Sequence, residues 1–292
     1  MGSVLVTILT GLAEAGTLFL VGAGLTLIFG SLRLINVAHG SFYMYSAFVV
    51  STVVGASSSE LHFWGALIIA PLVIAALGVL VEVTVMRRLY RREHLSQMLA
   101  TFGLFYVFAD LGLLIWGSSD RTVSAAPSVA GSLSVFGQSF PKYSVVIIVV
   151  ALAVGFVMFA LLRFTTLGWK IRAAVEDNEL LASTGVNVSR IYLFVFTFGA
   201  LLAGIAGAIA APQISISAGL DQSILIDAFI ISVIGGLGSI SGAAVAAVLI
   251  GLVDAFGARY LPPLAPISVY VVMIVVLVVR PSGIFGRAGT GD

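Results

Sequence analysis

Two short runs concentrate polar groups in an otherwise apolar chain. Asn36, Val37, Ala38, His39, Gly40 and Ser41 bring an amide, an imidazole and a hydroxyl to the entry of one apolar stretch. Gly235, Gly236, Leu237, Gly238, Ser239, Ile240, Ser241 and Gly242 interrupt another. Neither spacing suits covalent or metal chemistry. The three histidines (His39, His62, His94) are scattered and cysteine is absent, which excludes thiolate sites and disulfides. No Gly-x-x-x-x-Gly-Lys-Ser/Thr loop is present, so ATP is not bound by that route. What both runs offer is hydrogen bonding at a break in a helix. Broken helices whose ends face a cavity recognise zwitterions and small polar solutes. Asn36, His39, Gly40, Gly235, Gly236, Gly238 and Ser239 are therefore the candidate translocation-pathway residues. The plainer reading stays open beside it: a lone histidine is commonly structural, and Asn36 also suits a helix cap.

Five carboxylates fall within apolar stretches: Glu14, Glu82, Asp110, Asp227 and Asp254. A carboxylate at the bilayer centre costs ~3 kcal/mol on insertion scales, so each needs a partner, a cavity or neutralisation. Glu82 lies near an arginine cluster and is expected to pair or snorkel. Asp227 and Asp254 fall near segment ends, while Glu14 and Asp110 sit deeper. Helix packing and proton coupling are both open readings for the last two.

The elements that must position these groups follow from solvation. Hydrophobic residues make up 60% of the 292 and charged residues 9%, with a mean hydropathy of +1.17. Soluble proteins carry about 25% charged residues, so too few charges remain for a water-facing surface. A net charge of +1 gives no electrostatic footprint for nucleic acid. A membrane crossing needs roughly 20 apolar residues, and apolar runs place candidate segments at 4–29, 37–55, 64–86, 98–116, 144–162, 191–211, 225–253 and 267–279. The expected fold is all-α: one polytopic transmembrane bundle over residues 1–292, about eight segments. The first segment has no basic leader and reads as a retained span. The seventh cannot be one straight helix through so many glycines; it reads as a helical hairpin, about 224–234 and 243–257. With that hairpin, alternation puts 11 of 14 Lys/Arg on one side, leaving only Arg121, Lys142 and Arg259 opposite. The positive-inside bias then sets the N-terminus outside and the C-terminus in the cytoplasm.

Three other features stand out. Small residues repeat at Gly199, Ala203, Gly207 and at Ala200, Gly204, Ala208, a spacing for close helix approach. Residues 117–143 are rich in Ser, Gly and Pro and read as a lightly structured lid or a passive connector. Residues 170–183, in the largest cytoplasmic loop, lack Gly and Pro and read as a short amphipathic helix ended by Gly185. Such a helix either lies in the membrane interface or is offered to a soluble partner, with Glu176, Asp177 and Glu179 as its charged rim.

Four segments resemble the branched-chain amino acid ABC permeases of the LivH type: 34–44; 168–173 continued by Asp177, Asn178, Ala182 and 185–187; 234–242; and the tail 280–286. The resemblance runs the length of the chain in order. It implies the permease subunit of an ABC importer for branched-chain or other amino acids or related small polar solutes, in the inner membrane. It also implies cytoplasmic ATPase subunits, a second related permease, identical or not, and an extracytoplasmic solute-binding protein. The loop about 168–187 becomes the ATPase-coupling element, with Gly168, Arg172, Ala174, Glu176, Asp177, Ala182 and Gly185 as its residues. Hydrolysis belongs to the partner, so the chain is expected to be no enzyme and to need no cofactor. A stand-alone ion- or proton-coupled transporter using Glu14 and Asp110 is the alternative.

Overall fold

The computed structural model describes residues 2–56, 59–90 and 92–286, leaving the side chains of Ala56 and Glu179 aside. In chain order the helices are α1 (Gly2–Leu32), α2 (His39–Ala56), α3 (Glu60–Val81), a π-helical turn (Glu82–Met86), α4 (Arg87–Leu89) and α5 (His94–Trp116). A β-hairpin follows, β1 (Ser132–Val135) and β2 (Gln138–Pro141). Then come α6 (Lys142–Phe164), α7 (Thr166–Glu176), α8 (Asn178–Ser183), α9 (Val188–Ala210), α10 (Leu220–Gly235), α11 (Ile240–Tyr260) and α12 (Ala265–Val279). Six helical stretches are long and apolar enough to cross a membrane, and α12 is a shorter apolar helix. The chain is a polytopic helical bundle, as its hydropathy requires.

Helix ends sort the cations into two groups. Arg33, Arg87, Arg88, Arg92, Arg163, Lys170, Arg172, Arg190 and Arg280 lie in the short helices α4 and α7 or within a turn of the longer helices' ends, at one end of the bundle. Arg121, Lys142 and Arg259 sit at the opposite, serine-rich end. Arg91 and Arg287 lie outside the described residues.

The centre is built on α9. A Cβ at Gly199 would fall 2.6 Å from Ile28 of α1, and one at Gly204 would fall 3.0 Å from Ile74 of α3. Thus the two small-residue stripes seat α1 and α3 on different faces. Ser46 of α2 donates to the Gly204 carbonyl at 2.6 Å, where the missing side chain leaves the backbone reachable. In lipid, where apolar burial gives helices little reason to associate, such close packing and interhelical bonds hold the bundle.

Three findings refine or correct the sequence reading. First, α2 begins beside the middle of α1: His39 Nε2 is 3.1 Å from the Val21 carbonyl oxygen. Val21 lies 11 residues before the end of α1, roughly 16 Å along its axis. Residues 33–38 therefore run back into the bundle as irregular backbone, which survives at such depth only inside protein. Second, of the two readings of 117–143 the structure favours a lightly structured segment over a passive connector, with a β-hairpin that runs directly into α6 at Lys142. Its hairpin pairs Val135 with Gln138, and Arg121 bridges to Ile216. Ser128 donates through its backbone N–H and its hydroxyl to Glu60, tying the segment to the start of α3. Third, the single helix expected over 170–183 is two helices. Asp177 adopts φ −152°, ψ 104°, ending α7, and its carboxylate accepts from Leu180 N–H at 2.9 Å, capping α8. Aspartate's preference for the N-cap overrides the helix propensity around it.

Candidate functional site

The glycine-broken hairpin is present, and its turn is satisfied by the tail. Gly236 (φ 98°) and Gly238 (φ 87°) take left-handed backbone that other residues rarely tolerate. Ser239 caps α11, its hydroxyl accepting from Gly242 N–H at 3.1 Å. At the end of α10, the Ile234 and Gly235 carbonyls accept from Ile284 N–H (2.8 Å) and Phe285 N–H (3.1 Å). The two glycine-containing motifs are thus halves of one structure. A Cβ at Gly236 would approach Gly286 Cα to 2.7 Å, and one at Gly30 would approach Gly238 Cα to 2.6 Å. The turn is wedged between α1 and the tail.

Beside it a cavity of about 1540 Å³ opens along α1, lined by apolar groups of α1, α6 and α11 such as Phe19, Leu152 and Val248. Its polar end lies at the basic end of the bundle. There Gly238, Ser239 and Ser241 meet Arg33, Gln97 and Arg163, and also Ile171, Arg172, Val175 and Glu176 of α7. Of the seven pathway candidates, Gly238 and Ser239 line this groove. Gly235 and Gly236 are buried against the tail.

Asn36, His39 and Gly40 lie elsewhere, inside the packed bundle, with Asn36 and His39 at most 1% exposed. Gly40 is so close to the backbone of Asp221 that a Cβ would overlap its carbonyl oxygen. Neither polar atom of the Asn36 side chain has a partner, nor has His39 Nδ1. Nearby Asp221, buried and not singled out by the sequence, accepts from Ser41 Oγ at 3.3 Å. It sits past the end of any apolar run, which is why hydropathy passes over it.

In the loop between α6 and α9, Ile171 and Ala174 are buried with Ile191 and Val195 against α1 and α9. The amphipathic pattern thus faces the bundle's own helices. Gly168 allows α7 to fold tightly against the end of α6, where any Cβ would overlap the Leu162 carbonyl. Arg172 donates to that same carbonyl and its guanidinium stacks 4.7 Å over Trp169. Glu176, Asp177, Ala182 and Gly185 remain exposed, and Gly185 (φ 85°) ends α8 as expected. The Glu179 side chain lies outside the described residues.

The carboxylates fall into three settings. Glu14 of α1 and Asp254 of α11 line one small pocket with Thr7 and Thr10, with Asp227 of α10 near enough to interact. Asp110 is exposed on the outer face of α5, away from this cluster. Glu82 is fully buried and pairs with Arg87 at 2.9 Å.

A bundle of membrane-crossing helices, with a glycine-broken hairpin turning at its basic end and a long lateral groove, is the architecture of a multi-pass permease. The chain belongs to the family of permease components of branched-chain amino acid transport systems, whose model matches residues 7–279. It is 30% identical to the high-affinity branched-chain amino acid transport system permease protein BraD of Pseudomonas aeruginosa, over 96% of this chain and 95% of that one. It is 27% identical to the LivH permease protein of Escherichia coli, over 95% and 94%. The probable LivH protein of Methanocaldococcus jannaschii is also 27% identical, over 92% and 88%.

Proposed function

We propose that this chain is the permease subunit of an ABC importer in the cytoplasmic membrane. It forms, with a second related permease, the pathway for branched-chain or similar amino acids. Separate ATPase subunits drive the complex from the basic end, which faces the cytoplasm, and an extracytoplasmic binding protein delivers solute at the serine-rich end. The observation that carries this reading is the meeting of α7 with the hairpin turn. Ile171, Arg172, Val175 and Glu176 line the same groove mouth as Gly238 and Ser239. A displacement of α7 by a partner bound there would reach the mouth through direct contact. The groove is open along one side, so a second subunit is needed to close it. Gly238 and Ser239 then form part of the cytoplasmic gate, while Asn36, His39 and Gly40 hold the break that shapes it from behind.

The exposed part of the coupling element is α8 with Glu176, Asp177, Ala182 and Gly185, and these residues form the docking face. Gly168, Arg172 and Ala174 act beneath it by seating α7. Ala182→Trp is the decisive variant, because Ala182 is exposed and a larger side chain there meets solvent. Gly185 is a poorer choice, since its left-handed backbone makes any substitution strained. In purified complexes Ala182→Trp should release the ATPase or abolish stimulation of hydrolysis by the loaded binding protein, with insertion intact. Full association together with full stimulation would refute the docking face.

A further inference from the structure

Where α3 reaches the basic end, its backbone changes register. Residues Glu82–Met86 form a π-helical turn, and Arg87 N–H reaches back five residues to the Glu82 carbonyl. Such turns are rare and tend to mark functional positions. Here the turn makes an ion pair possible. In an α-helix residues five apart point roughly 140° away from each other, whereas the wider π turn brings them together. Glu82 and Arg87 meet at 2.9 Å with Glu82 fully buried.

This register is held by neighbours more than by α3 itself. The next residues present Tyr90, whose ring packs edge-on against Tyr192 at the start of α9, centroids 5.0 Å apart. Gln97 of α5 donates to the Leu89 and Arg92 carbonyls. Against these contacts stand two costs: Glu82 Oε1 and the Tyr90 hydroxyl are buried without partners. Unsatisfied buried atoms are expensive to keep, so the turn is balanced and not locked. Undoing it would rotate residues 87–90 by about 100°, separating both Arg87 from Glu82 and Tyr90 from Tyr192. Only one of the holding contacts leads out of the bundle. The Tyr192 hydroxyl accepts from Asn178 Nδ2 of α8 at 3.2 Å.

We infer that residues 82–90 are a register switch between π and α winding, and that Tyr192 sets it according to the position of α8. The path runs from Asn178 through the Tyr192 and Tyr90 rings to the Glu82–Arg87 pair. These are positioning residues. The switch itself stands on the geometry of α3, while its link to an ATPase rests on the docking reading of α8 proposed above.

The chain has no cysteine, so a single Arg88→Cys carrying a trifluoromethyl label reports the rotation by fluorine NMR. In the isolated, detergent-purified chain one main resonance is expected. Arg87→Met and Tyr192→Ala should each raise a second resonance, changing the ratio about tenfold, as for loss of a charge-assisted bond. Arg87→Lys, which keeps the ion pair, should restore the first, and Arg163→Ala should change nothing. If Arg87→Met and Tyr192→Ala leave one unaltered resonance, the switch does not exist. In the assembled complex ATP should move the ratio in the Tyr192 chain and not in Tyr192→Phe, which keeps the ring but loses Asn178. A ratio that ignores ATP in the assembled complex overturns the link through Tyr192. Failure of the ATPase to bind refutes the docking reading instead, and the resonances of the isolated chain then decide whether the switch exists.

Discussion

Gly168 and Arg172 show how a residue's role depends on what its neighbours leave exposed. Both fall in the loop that resembles the ATPase-docking segment, yet both are engaged with the end of α6, Gly168 buried against it and Arg172 bonded to it from the exposed side. Gly168 lets α7 touch the Leu162 carbonyl, and Arg172 satisfies that same carbonyl, an orphan of the α6 terminus. Sequence type alone could not separate these two from exposed Ala182, because a glycine and an arginine suit a docking face equally well. Gly168→Val should therefore act through stability. Overpacking of this kind costs about 1–3 kcal/mol, and the purified permease should unfold at a lower temperature even without any partner. An unchanged thermal midpoint, with ATPase binding lost, would return Gly168 to the docking face.

At the scale of elements, the glycine-broken hairpin is legible because Gly235, Gly236 and Gly238 cluster within four residues beside two serines, which disfavours a continued helix far more than the spaced glycines of α1 and α9 do. The partner of its turn is not legible. Nothing in hydropathy says that the backbone of Ile284 and Phe285 returns to cover Ile234 and Gly235, since that pairing is a backbone bond without a side-chain signature. Gly236→Leu is accordingly expected to lower the yield of folded protein as well as uptake, because the new side chain displaces Gly286. Normal yield with blocked uptake would mean that the turn yields and the tail is not needed there. The π turn is equally silent, since an extra residue in a helix whose lipid face is uniformly apolar leaves no break in the pattern. The division of α7 from α8 had a signal, the Asp177–Asn178 pair, which favours caps over helix interiors. Asp177→Ala removes the α8 cap at a cost of ~1 kcal/mol. Amide exchange should then quicken at Leu180 and Leu181 while α7 stays protected. Uniform protection across 166–183 would show one continuous helix after all.

For the molecule as a whole, the cation distribution and the groove make separate demands. By the positive-inside bias the concentration of arginines at one end is expected to orient the bundle, and cysteines at Ser3 and Ser183 should react with impermeant reagents from opposite sides, Ser3 from outside. Reaction of Ser3 from the cytoplasmic side alone would invert the bundle. The groove demands a neighbour. Phe156 is 70% exposed on its α6 wall and Leu72 is 59% exposed on α3, away from it. Both are apolar, and lipid would cover either equally well, so exposure does not choose between lipid and protein. Shape does: lipid chains would have to fill a deep cleft whose end carries Arg33, Arg163 and the hairpin turn, the region proposed to admit solute. The second permease of the proposed assembly would cover the cleft and leave a protein-lined path. In complexes purified from membranes, a short bismaleimide should join Phe156→Cys to the neighbouring permease, provided that chain carries a cysteine at the equivalent wall. Leu72→Cys should give no such product. Equal crosslinking at both positions, or none at Phe156, would mean that the groove faces lipid and that the path runs within a single subunit.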